Sequence, residues 1–181
     1  MKLRPLPPIA ADLLDTVLAP PRLVAHLTLV HDVAAHLVPA FQRAFPALVV
    51  DESAVFFGAA THDIGKALAP SELSEPGKTH ERLGEDLLLR HGIVPSLARF
   101  ARTHGLPVED DALTNEDLLV ILADTVWKGR RDGRLEDVIT KALTRSGTPA
   151  WQAFDRLDAI LTNAASGADA RLAWQQRHPL R

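Results

Sequence analysis

Apolar residues in this chain recur every three or four positions, and no stretch alternates apolar with polar over the length of a strand. That period suits amphipathic helices and disfavours half-buried strands, so the expected fold class is all-α. The punctuation agrees. A short helix is expected from Asp12 to Ala19, stopped by Pro20 and Pro21. The segment "PRLVAHLTLVHDVAAHLV" follows, with Pro21 in its first turn and Pro39 ending or kinking it near Val38. Asp51 or Ser53 can cap a helix running to about Leu68. After the loop "SELSEPGK", helices are expected over Thr79 to His91, stopped by Gly92, and from Pro95 to about His104. Thr114 caps "NEDLLVILADTVWKG" with Asp117 at the acid position of a capping box. Further helices are expected around Leu135 to Thr144, Pro149 to Asn163 and Asp169 to Gln176. No internal repeat is present.

The 181 residues fit one domain of ordinary size. Apolar residues make up 46% and charged residues 24%, a balance that excludes a disordered or fibrous chain. A net charge of −3 leaves no basic footprint, so nonspecific nucleic-acid binding is not expected. Cysteine is absent, which excludes disulfides, thiolate metal sites and cysteine nucleophiles. Any metal must be held by nitrogen and oxygen. Prolines and Asp12 interrupt "MKLRPLPPIAADLLDTVLAPP" where a signal peptide needs an apolar run, and no segment approaches transmembrane length. A cytoplasmic protein without membrane contact is the expectation.

The informative residues are polar ones on apolar faces. His26, His31 and His36 are spaced by five, and at about 100° per residue that spacing turns the side chain by about 140°. They cannot share a face. On a helical wheel Leu23, Leu27, Val30, Val33, Ala34 and Leu37 form one arc; His26 falls inside it, His31 at its edge, and His36 opposite. His80 shares its face with Leu83, Gly84, Leu87 and Leu88, and His104 continues the face of Leu97, Phe100 and Ala101. Asp124 lies in a stretch apolar nearly all round, and His62 adjoins Asp63 within "ATHDIGKALAP".

One buried histidine is ordinarily a hydrogen-bonded core residue. A buried aspartate is rarer, because its charge is costly without a partner. Six such groups, His26, His62, Asp63, His80, His104 and Asp124, share that cost if they converge on cations. Imidazole and carboxylate donors suit Mn²⁺, Fe²⁺, Co²⁺, Ni²⁺ or Zn²⁺, with Mg²⁺ also a candidate, and a carboxylate can bridge two ions. Two ions about 3.5–4 Å apart can activate water and clamp a phosphoryl group.

The ordered set "H…HDIGK…H…H…D" on an all-helical chain resembles the HD-domain superfamily of metal-dependent phosphohydrolases over roughly Arg22 to Arg131. The resemblance implies a single HD domain over residues 1–181, with its core at about 22–131, a short N-terminal helix and a C-terminal helical extension. It also implies that His26, His62, Asp63 and Asp124 bind a first metal ion, and that His80 and His104 bind a second, with Asp63 bridging. "HDIGK" is similar to the string of the HD-GYP cyclic-dinucleotide phosphodiesterases, although their GYP segment is absent and Gly105 follows His104 where they pair histidines. "THG…ILADTVWKGRR" resembles the small bacterial hydrolases of diadenosine tetraphosphate.

The expected activity is therefore hydrolysis of a small phosphate ester or anhydride, with a nucleotide or dinucleotide as the substrate class. Asp63 and Lys66 are the catalytic candidates. Lys66, one turn after the His-Asp pair, either reaches a substrate phosphate or pairs with a carboxylate. Arg22, Lys128, Arg130 and Arg131 are candidate phosphate contacts, against the plainer reading of the last three as solvated helix-end cations. Trp127, Trp151 and Trp174 could stack on a base, but core packing is the default expectation for each. His31, His36, His91 and His178 are assigned to the surface or to structure, with His31 the reserve ligand. The alternative function is a metal-stabilised nucleotide-binding or sensing module without turnover.

Overall fold

The computed structural model describes residues 1–180. Its helices are α1 (Pro8–Thr16), α2 (Pro21–Ala44), α3 (Glu52–Thr61), α4 (Thr79–Arg90), α5 (Pro95–Ala98), α6 (Phe100–Thr103), α7 (Asn115–Val126), α8 (Gly133–Arg145), α9 (Ala150–Ala165) and α10 (Ala168–Gln176). Two 3-10 turns, Ile64–Ala67 and Pro70–Leu73, lie between α3 and α4, and no strand occurs among the described residues. The fold is all-α, as the period requires.

The central helix is α2, packed by α3, α7, α9 and α10. It is long and apolar enough to span a bilayer, but most of its apolar face is buried inside the bundle. It also runs past Pro39, so of the two expected outcomes there, an end or a kink, the end near Val38 does not occur. Proline within a helix forfeits a hydrogen bond and costs ~3 kcal/mol or more. Val38, Phe41 and Phe45 are fully buried on either side of it, and each large apolar side chain returns about 1.5–3 kcal/mol. Tertiary burial outweighs the local penalty. Helix α1 likewise begins earlier than expected, because Pro8 occupies its first turn rather than blocking it.

Two apolar clusters make up the interior. The larger joins Leu29, Val30 and Val33 of α2 to Val55 and Ala59 of α3, Phe100, and the inner faces of α7, α8 and α9. The smaller joins Leu13, Leu14, Leu23, Leu27, Phe57, Ile64, Leu87 and Leu88. Helices α2 and α3 contribute to both, so the stretch around His26 and His62 lies where the clusters meet.

Helix α3 is capped by Asp51, whose carboxylate accepts the Ala54 N–H at 3.0 Å, but it ends at Thr61 instead of Leu68. His62 is its C-cap, and Asp63 has φ −98° and ψ 8°, outside the α-helical region. The chain then tightens into a 3-10 turn because Gly65 presses on α4. A Cβ on Gly65 would stand 2.0 Å from the His80 carbonyl oxygen and 2.6 Å from the Gly84 nitrogen. Only a glycine lets this turn approach α4 so closely. The close approach brings His80 to Asp63.

The capping box of α7 forms as expected, Thr114 and Asp117 exchanging side-chain and backbone hydrogen bonds. Asp117 does more than cap. Buried at 1% exposure, it also accepts the Thr103 hydroxyl at 2.6 Å and an ion pair from Arg99, tying α7 to the helix that carries His104.

Candidate metal centre

All six candidate ligands converge. They form two triads, His26–His62–Asp124 and Asp63–His80–His104, each offering three donor atoms within 4.8 Å of one another. In the first, His26 Nε2 lies 3.3 Å from His62 Nε2 and 3.3 Å from Asp124 Oδ1, and His62 Nε2 lies 3.6 Å from that oxygen. In the second, His80 Nε2 lies 3.3 Å from His104 Nε2, and Asp63 Oδ1 is 3.1 Å and 3.3 Å from the two nitrogens. The other Asp63 oxygen, Oδ2, faces the first triad at 3.1 Å from His26 Nε2 and 3.8 Å from His62 Nε2. One carboxylate thus presents an oxygen to each group.

Imidazole tautomers show what these groups lack. His62 Nδ1 donates to the Ala59 carbonyl at 3.2 Å, His104 Nδ1 donates to the Phe100 carbonyl at 3.2 Å, and His80 Nδ1 donates to Glu72 Oε2 at 2.5 Å. A neutral imidazole that donates through Nδ1 has only a lone pair at Nε2. With both rings neutral, two such lone pairs and a carboxylate oxygen of the second triad face one another at 3.1–3.3 Å. Acceptors at that range repel unless a positive charge lies among them. Asp63 Oδ1 and Asp124 Oδ1 are buried and accept no hydrogen bond. For metal–ligand bonds of about 2.1 Å, neighbouring donors of a coordination shell sit ~3.0–3.4 Å apart, so these residues fit divalent ions.

The electrostatics describe a site that attracts positive charge, whether a proton or a metal ion. Burial by itself would raise the Asp63 carboxyl, but the charge of His62 and the close rings of His104, His26 and His80 hold it well below the usual carboxylate range. Asp124 is lowered too, its burial outweighed by His62, His26 and Lys128. His80 moves the other way: burial would lower it, yet Asp63 and Glu72 raise it. Both carboxylates are ready to act as anionic donors.

Glu72 was not visible in the sequence. It lies in the second 3-10 turn, accepts the backbone N–H groups of Thr79 at 3.0 Å and His80 at 3.1 Å, and orients the His80 ring. It thereby caps α4, where Lys78 at the N-cap position supplies no side-chain bond. Burial opposes its ionisation, but the His80 ring and these N–H groups bring it down to about 2. A carboxylate behind a ligating histidine is a recurrent orienting partner in metal sites. Its only sequence signal was an acidic residue in a loop, which singles out nothing.

A cleft of about 160 Å³ opens beside the first triad, lined by Arg22, Leu23, His26, Asp63, Lys66, Leu73, Asp124, Lys128 and Gln175. Lys66 donates to Asp63 Oδ2 at 2.6 Å, so the carboxylate-pairing reading holds in this structure while the residue still lines the cleft. Lys128 lines it as well, its ammonium 5.8 Å from the Trp127 ring. Arg130 and Arg131 do not. Gly129, at φ +77°, turns the chain away after α7, and Arg131 instead pairs with Glu136 at 2.7 Å and Asp158 at 2.9 Å.

The histidine phase on α2 needs one correction. His26 belongs to the site as expected, but His31 is the more buried of the two, at 2% exposure, with its ring edge-on to Phe56 at 5.9 Å. It takes the structural place rather than the surface one and is not in either triad, the neighbouring Phe56 covering the edge of the arc. Trp127 is buried and edge-on to His26 at 5.2 Å, whereas Trp151, expected in the core, is 70% exposed on α9. Trp174 is partly buried and stacks on His178.

Among known families, the HD domain matches residues 23–126, more than half of the chain. No curated protein and no solved structure matches it.

Proposed function

The chain belongs to the HD domain family, and from that premise we propose that it is a metal-dependent phosphohydrolase acting on a small phosphate ester or anhydride, with nucleotides and dinucleotides as the substrate class. The observation that carries this reading is Asp63, whose two oxygens face two separate triads of metal-type donors. His26, His62, Asp63 and Asp124 would hold one divalent ion, and Asp63, His80 and His104 a second. When bound, such ions supply Lewis acidity toward phosphoryl oxygens and lower the pKa of water.

The chain's own residues do the rest. Arg22, Lys66 and Lys128 place three cations around the cleft mouth, which favours an anionic substrate and offsets charge that builds on a transferring phosphoryl group. Lys66 is held by Asp63 at 2.6 Å, so binding a phosphate there would exchange one anionic partner for another without moving the lysine far. Leu23 and Leu73 add apolar surface to the cleft lining. Glu72 and the Ala59 and Phe100 carbonyls keep the Nε2 lone pairs of His80, His62 and His104 directed inward.

The test is a hydrolysis screen of nucleotides, cyclic dinucleotides and dinucleoside polyphosphates with Mn²⁺, Fe²⁺, Co²⁺ or Mg²⁺, under anaerobic conditions for iron. Metal-dependent release of phosphate or nucleotide is the expected result. A protein that carries metal yet releases no product from any of them would overturn the enzymatic reading. Tight nucleotide binding without product over hours would identify a sensing module instead.

A further inference from the structure

The C-terminal segment lies outside the matched residues 23–126, yet it contributes Gln175 to the lining of the cleft. Its seat is well defined. Arg171 donates from Nε to the Trp127 carbonyl at 2.6 Å and from Nη2 to the Ala164 carbonyl at 2.5 Å. A Cβ on Gly129 would meet the Ala168 side chain at 2.9 Å, so the start of α10 sits directly against the turn that follows Asp124. Beyond α10 the chain folds back to the start of α2: the Arg22 N–H donates to the Pro179 carbonyl at 2.9 Å and Arg22 Nε to the His178 carbonyl at 2.7 Å. The Trp174 and His178 rings contact each other in that return, their centroids 4.3 Å apart and their planes tilted by 52°.

These contacts have two results. Arg22 is oriented by the carbonyls of the tail, and a guanidinium carries five N–H donors, so others remain for the cleft that it lines. Gln175 is brought to the cleft that Lys66 and Lys128 also line. The remaining lining is charged, ligand-type or apolar; apart from His26, which belongs to the first triad, Gln175 is the lining residue with a neutral group that both donates and accepts. Cations and metal ligands can recognise a phosphate. They cannot read the uncharged part to which it is attached.

We infer that the segment from Ala168 to Leu180 is the specificity wall of this cleft, and that Gln175 hydrogen-bonds the leaving-group side of the substrate, the hydroxyl or amide edge of a nucleoside. This rests on the phosphate-binding reading of the same cleft. Arg171 is a positioning residue: it holds the wall through the Trp127 and Ala164 carbonyls and touches no cleft atom itself.

The experiment measures binding, so that it is independent of turnover. With Mn²⁺-loaded full-length protein, calorimetry compares inorganic phosphate with nucleoside 5′-phosphonates, whose carbon–phosphorus bond resists hydrolysis. Wild type should bind at least one nucleoside phosphonate more tightly than phosphate. Gln175→Ala should weaken that ligand about five- to tenfold, the scale of one lost hydrogen bond, while phosphate affinity changes less than twofold. Arg171→Leu, checked for a native helical spectrum, should give the same selective loss. Equal weakening of both ligands, no weakening of the nucleoside ligand, or no preference for it in wild type would each overturn the inference. Absence of hydrolysis in the separate screen would overturn the phosphohydrolase reading and leave this affinity ratio readable.

Discussion

The two triads use similar donors but are held in different ways. His26, His62 and Asp124 come from α2, the end of α3 and α7, helices that also build the larger apolar cluster, so the first group is fixed by hydrophobic packing. His80 comes from α4 and His104 from the end of α6; the Phe100 carbonyl behind His104 matches the Ala59 carbonyl behind His62, whereas His80 is set by a side chain, Glu72. Gly65 and Gly84 allow the close crossing that brings His80 to Asp63. A group fixed by the core resists local change. A group that depends on one side-chain contact, Glu72 to His80, can be tuned there without unfolding the chain.

Asp63 belongs to both halves, so Asp63→Asn is the largest expected perturbation. It removes the shared negative charge while preserving shape, and should reduce bound metal at both groups and activity by more than the 10–100-fold typical of outer-shell changes. Elemental analysis beside the kinetics checks it; full metal content in the variant would show that the carboxylate is not a ligand. Next comes the double variant His80→Ala/His104→Ala. Bound metal should fall from about two equivalents towards one, with folding stability changing much less than activity, since the first triad still links α2, α3 and α7. Unchanged stoichiometry would sink the two-ion arrangement. The mirror-image change, His26→Ala, should instead deplete the core-held group.

Glu72→Gln addresses the polar support alone. Metal affinity of the second group should drop about 10–100-fold, and the weakened cap of α4 should cost ~1 kcal/mol, read by metal titration and chemical denaturation together. Loss of metal from the first group as well would show that the two are not separable.

The smallest effect on the site comes from His31. Desolvation, aided by Arg4 and opposed by Asp32, lowers it to about 4. Between an unfolded value of 6.5 and that folded value, the unfolded chain binds the extra proton. Stability should therefore fall as pH drops through this window, by up to about 3 kcal/mol from this residue. His31→Leu should flatten that acid limb and leave metal content unchanged, as pH-dependent denaturation and elemental analysis would show.

What the sequence by itself determined follows from helix geometry. An apolar period near 3.6 dictates an all-α fold, and the angular positions of His26, His80, His104 and Asp124 assign those residues to inward faces before any contact is known. Local chemistry also suffices for the Asp51 cap and the Thr114–Asp117 capping box. Tertiary structure decided whatever depended on a distant partner. Pro39 stays helical because Val38, Phe41 and Phe45 are buried around it. His31 is buried because Phe56 of another helix covers it. Arg131 leaves the cleft because Gly129 turns the chain towards Glu136 and Asp158. Glu72 and Gln175 join the site from a loop and a C-terminal helix whose sequence periods carry no record of what they face, since periodicity encodes which side of a helix turns inward and not which helix meets it.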